Sequence, residues 1–67
     1  GQGEGAGGVV EAQHVLRGVE PAKVKGLPLH ERDRCLRALR TAGFSIRAIE
    51  RLTGIGRYHI DKVTSTM

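Results

Sequence analysis

Apolar residues recur along most of this chain at intervals of three and four, the spacing that lines one face of an α-helix. Val9, Ala12, Leu16 and Val19 keep that spacing, with Val15 beside Leu16, and predict one amphipathic helix over residues 9–19. Gly18 and Pro21 are its expected stops. Residues 20–27 carry two lysines, a proline and a glycine. That stretch reads either as an extended connector or as one short helical turn beginning at Pro21.

From Pro28 onward the pattern sharpens. Proline suits a first helical turn, where its missing amide hydrogen costs nothing, and the acidic Glu31 and Asp33 follow where the helix dipole favours them. Cys35, Leu36, Leu39 and Ala42 make an apolar stripe with Arg34, Arg37 and Arg40 to its side. Gly43 then ends the helix as a left-handed cap, and Phe44 can fold back on the last turn. Ser45 is a good N-cap for a second helix carrying Ile46, Ile49 and Leu52, which Gly54 closes. After Ile55 and Gly56, Arg57 opens a third run with Ile60 and Val63 on one side. Two short amphipathic helices joined by a tight glycine-containing turn are the pattern of a helix-turn-helix.

The expected fold is therefore all-α. A three-helix, homeodomain-like helix-turn-helix unit spans residues 29–67, an extra N-terminal helix and connector span 9–28, and a flexible glycine-rich tail spans 1–8. The N-terminal helix is expected to pack on the unit or to hang loosely from it. Leu36, Leu39, Phe44, Ile49, Leu52, Ile55, Ile60 and Val63 are the expected core, with Cys35 assisting. The tail, with five glycines in eight residues, cannot bury enough surface to offset its ordering entropy. No G-K-[ST] ending follows those glycines, which favours a linker over a phosphate-binding loop.

Charge changes the picture more than composition does. The 67 residues carry a formal +4. Arg17, Lys23 and Lys25 cancel Glu4, Glu11 and Glu20 in residues 1–28, whereas residues 29–67 hold eight arginines and lysines against Glu31, Asp33, Glu50 and Asp61. All of the excess thus lies in the half with the sharp helical pattern, which points to a polyanionic partner. A single cysteine excludes an internal disulfide and fits a reducing compartment. No apolar run is long enough to span a membrane, and no secretory signal is visible at the start. The initial glycine suggests a piece of a longer protein.

Over residues 44–63 the chain reads F-S-I-R-A-I-E-R-L-T-G-I-G-R-Y-H-I-D-K-V. This resembles the helix-turn-helix of insertion-sequence transposases and of serine recombinase C-terminal domains, in which a G-x-S-I-R-x-I-x-R-x-x-G-[IV]-x-R pattern recurs. Ser45, Ile46, Arg47, Ile49, Arg51, Gly54, Ile55 and Arg57 match it. Glu50 stands where many members have alanine, as it does in some of the transposases. Gly56 stands where many members have serine or threonine. The resemblance implies binding of double-stranded DNA by a transposase, recombinase or transcription regulator. It further implies a cytoplasmic, nucleoid-associated setting of bacterial, phage or plasmid origin, with a homodimer or a larger parent protein providing the rest of the grip.

The physical case for DNA stands beside that resemblance. A major groove about 12 Å wide admits one helix, braced by the helix before it. With Ile60 and Val63 turned inward, the last helix offers Arg57, Tyr58, Asp61, Lys62 and Ser65 outward. Arg57 suits a guanine edge or a phosphate, Lys62 likewise, and Tyr58 a thymine methyl or the backbone. Asp61 can accept from a cytosine amine or pair with Arg57 or a lysine. Gly56 caps the start of that helix nearly as well as serine or threonine, without the hydroxyl that often touches phosphate, and His59 can reach the groove edge or another helix. Ser45 and the free amides after it form a phosphate site, beside Arg47 and Arg51 on one helical face. A surface pairing with Glu50 is the alternative for those two arginines, and Arg34, Arg37 and Arg40 read as solvated. Lys23 and Lys25 read as part of a linker, with a minor-groove arm as the alternative.

Other chemistries have little support. Cys35 with His14, His30 and His59 shows no zinc-ligand spacing, so no metal is expected. No catalytic grouping, cofactor or small-molecule ligand is expected either. Two rival readings remain: a protein-interaction module docking through the Val9–Val19 stripe, and RNA binding, disfavoured by a single outward aromatic.

Overall fold

The computed structural model describes residues 8–65, which form five helices and, among these residues, no strand. Helix α1 spans Val9–Val15, α2 spans Pro21–Val24, α3 spans Leu29–Thr41, α4 spans Ile46–Thr53 and α5 spans Arg57–Thr64. Apart from Gly8, the expected glycine-rich tail lies outside the described residues.

Helix α1 is shorter than its apolar spacing predicts. Arg17 and Gly18 both turn left-handed, at φ 58° and 95°. In that geometry the Arg17 amide donates to the His14 carbonyl at 3.2 Å and the Gly18 amide to the Gln13 carbonyl at 2.8 Å. These two bonds satisfy the last carbonyls of the helix and end it before Leu16. Of the two readings of residues 20–27, the helical turn is correct, with Pro21 at its first position. Pro28 corrects a smaller expectation: it is extended (φ −54°, ψ 148°) and stands just outside α3. Its carbonyl accepts from the Arg32 amide at 2.8 Å.

The end of α3 follows the sequence reading. Gly43 adopts φ 108°, the Gly43 amide donates to Arg40 and the Phe44 amide donates to Leu39, each at 3.0 Å. Phe44 is thereby folded under the helix it follows and is almost fully buried. Ser45 caps α4 as expected, its Oγ accepting from the Ala48 amide at 3.1 Å.

One core serves the whole described chain. Leu36, Leu39, Phe44, Ile49, Ile55 and Ile60 are buried together with Ala12, Leu16 and Val24 from before Pro28. Helix α1 packs on α2 and α3, and α2 packs on α4. The N-terminal helix is therefore packed on the rest, not loosely attached. The expected core omitted these three residues and overstated two others, since Leu52 and Val63 are only half-buried, as is Cys35. The reason is competition for one small interior. Val24 and Ala12, each with no exposed surface, occupy space that a three-helix unit would have filled from its own side chains.

Candidate nucleic-acid interface

Helix α5 divides cleanly along its length. Ile60 is fully buried and Val63 and Thr64 are half-buried, whereas Arg57, Tyr58, Asp61, Lys62 and Ser65 are all exposed. At 100° per residue those five fall within one arc of about 140°, with Ile60 and Val63 on the other side of the helix. Tyr58 is 80% exposed, an unusual position for a ring with no polar shelter. Thr64 turns back to donate to the Ile60 carbonyl at 2.8 Å and takes no part in the outward arc.

The connection into α5 is held by a residue that the sequence reading passed over. Thr53 is buried, and its Oγ1 donates to the Ile49 carbonyl at 2.7 Å while accepting from the Ile55 amide at 3.2 Å. One hydroxyl therefore closes α4 and fixes the Ile55 amide within the turn. Gly54, at φ 80°, reverses the chain, and its amide donates to Glu50 at 2.8 Å. Ile55 anchors the turn in the core, and Gly56 is exposed at the N-terminus of α5. A threonine four residues after one apolar position and two before another was the available signal.

On α4, Ser45, Arg47 and Arg51 are exposed, while Glu50 is half-buried. Among the described residues no ion pair joins Glu50 to Arg47 or Arg51, nor Asp61 to Arg57 or Lys62. The intramolecular pairings considered as alternatives for these charges are thus not formed. All eight residues assigned to DNA contact (Ser45, Arg47, Arg51, Gly56, Arg57, Tyr58, Asp61 and Lys62) are open to solvent.

His59 settles between its two readings by reaching another helix. Its Nε2 lies 2.7 Å from an Arg32 guanidinium nitrogen on α3, and 3.9 Å from Asp33 Oδ1. Arg32 Nε and Asp33 Oδ1 face each other at 3.8 Å, and both are buried without a hydrogen-bond partner among the described residues. This polar contact joins α5 to its supporting helix, and neither Arg32 nor Asp33 carried any signal of it in sequence. Arg40, read as solvated, does more: it donates to the Phe44 carbonyl at 3.1 Å, tying the last turn of α3 to the start of α4.

Cys35 is half-buried on α3. Burial pushes its thiol above the ordinary value and nearby Glu31 adds to this, with Arg34 acting in the opposite direction. No group of three or more metal-ligating side chains occurs among the described residues. No helix among them is long and apolar enough to cross a membrane. Of the Val9–Val19 stripe, Ala12 and Leu16 are spent inside the protein's own core, with Val15 and Val19 partly so; Val9 stays more than half exposed. Comparison with family models, with curated proteins and with solved structures finds no match to this chain.

Proposed function

We propose that α3, α4 and α5 form a helix-turn-helix that binds double-stranded DNA, with α5 entering the major groove and α3 and α4 bracing it. The observation that carries this reading is the outward arc of α5. Arg57, Tyr58, Asp61 and Lys62 stand side by side, free of intramolecular ion pairs, on a short helix whose opposite side is anchored by Ile60. Arg57 and Lys62 supply donors for guanine edges or phosphates, and Tyr58 an apolar face for a thymine methyl. Arg47, Arg51 and the capped start of α4 suit flanking phosphates. The chain binds and does not itself catalyse; it serves as the DNA-reading part of a transposase, recombinase or regulator.

Titration of the isotope-labelled chain with a random-sequence duplex of roughly 16 base pairs at low salt tests this. Amides of Ser45–Arg47 and Gly56–Lys62 should shift together and return as salt is raised, because each neutralised phosphate releases counterion. Unmoved signals at both segments overturn the reading.

A further inference from the structure

The outer edge of α1 has no role in the DNA reading and no cover among the described residues. Val10 is 77% exposed in the first turn of a helix otherwise used for packing. Beside it runs an open groove of about 420 Å³ lined by Val10, Glu11, His14, Val15, Ala42 and Phe44. Its walls are mostly apolar, and among the described residues its two polar ones are an acid and an imidazole three positions apart on the same helix.

The geometry points to a second copy of this chain as the occupant, with the two α1 helices antiparallel across a two-fold axis. In a two-fold contact, residue i of one copy meets residue j of the other and the reverse holds equally. An antiparallel register that sets Glu11 against His14 of the second copy has i and j summing to 25, an axis midway between Ala12 and Gln13. The same register sets Val10 on Val15 of the second copy. The most exposed valine therefore enters the neighbouring groove, and the two polar pairs close at its rim. No lysine or arginine lines the groove to oppose this. The self-complementarity of Glu11 and His14 is what selects a second copy over an unrelated partner.

A seven-residue helix offers far less than the about 1,600 Å² of a standard stable interface, so the pairing is weak, with dissociation on the order of 0.1 mM. Under the DNA reading, two copies on adjacent half-sites meet at millimolar effective concentration, enough to make such a contact count.

Sedimentation equilibrium of the full chain without DNA tests the pairing independently of any DNA binding. The weight-average mass should rise towards that of a dimer at millimolar concentration, and concentration-dependent amide shifts should centre on residues 10–15 and 42–44. Val10→Asp, at an exposed first-turn position that leaves helical circular dichroism unchanged, should weaken association at least tenfold. Glu11→His alone should weaken it as well, and Glu11→His with His14→Glu, which exchanges the two partners, should restore it. A monomer throughout, an unaffected Val10→Asp variant, or an exchange variant that fails to recover overturns the proposal.

Discussion

His59 Nε2 and an Arg32 guanidinium nitrogen lie 2.7 Å apart, bridging α5 and α3. Arginine can only donate, so Nε2 is the acceptor in this contact. Replacing His59 with Leu leaves a half-buried guanidinium donor without its acceptor, at about 1 kcal/mol. For a domain of this size that is a fall of roughly 4–8 °C in Tm. His59→Gln, which keeps an acceptor, should recover part of the loss. Thermal unfolding of the two variants with Arg32→Met and the double variants completes the comparison. Additive losses for Arg32→Met and His59→Leu would show that the contact carries no energy.

Thr53 should be the most sensitive polar residue in the protein. Thr53→Val keeps the shape but strands the Ile55 amide in a buried turn, at about 1–3 kcal/mol. Thr53→Ser keeps the hydroxyl and should cost less. Urea unfolding distinguishes them: the Val variant should lower the midpoint with no change in the slope.

The two glycines that flank Ile55 should respond oppositely. Gly54 is held at φ 80°, so Gly54→Ala should cost about 1–2 kcal/mol through backbone strain. Gly56 has ordinary backbone (φ −62°, ψ 144°) with open space where a Cβ would go. Gly56→Ser should therefore stabilise by a few tenths of a kcal/mol as a better N-cap. Calorimetric Tm values in opposite directions are the expected result.

On DNA, Arg57→Ala should narrow the affinity gap between preferred and random duplexes by about 1–3 kcal/mol if the arginine reads a guanine edge. Arg47→Ala should weaken all duplexes alike and reduce the salt slope by about one. Fluorescence anisotropy across a salt series measures both effects. An unchanged slope for Arg47→Ala would remove that residue from the interface.

Cys35 should be a slow thiol, since burial raises it above the ordinary value. Alkylation by iodoacetamide near pH 8 should run slower in the folded chain than in urea. The linkage follows from the same direction. Between the ordinary thiol range, about 8.5, and the raised folded value, the native chain holds more protons than the unfolded one. Stability should thus fall as pH rises through that window, and Cys35→Ala should lack this component.

Periodicity in sequence revealed α3, α4 and α5, their caps at Gly43, Ser45 and Gly54, and every exposed residue of the outward arc, because those features depend on local spacing. It failed where distant groups decide the outcome. Ala12 and Val24 look incidental in a list of residues and become core only when α1 and α2 fold back onto α3 and α4. Arg32 and His59 are 27 positions apart, and no local pattern links them. The early end of α1 depends on Arg17 adopting a backbone conformation that side chains disfavour, which spacing alone does not reveal.

The split of α5 into a buried side and an open arc separates two kinds of mutational freedom. Arg57, Tyr58, Asp61, Lys62 and Ser65 make no contribution to the interior, so replacing any of them should alter stability by less than about 0.5 kcal/mol. Five adjacent positions can therefore be rewritten while Ile60, Thr53 and Ile55 continue to hold the scaffold in place. A chain built this way can acquire a new binding preference by drift at its surface without passing through an unfolded ancestor.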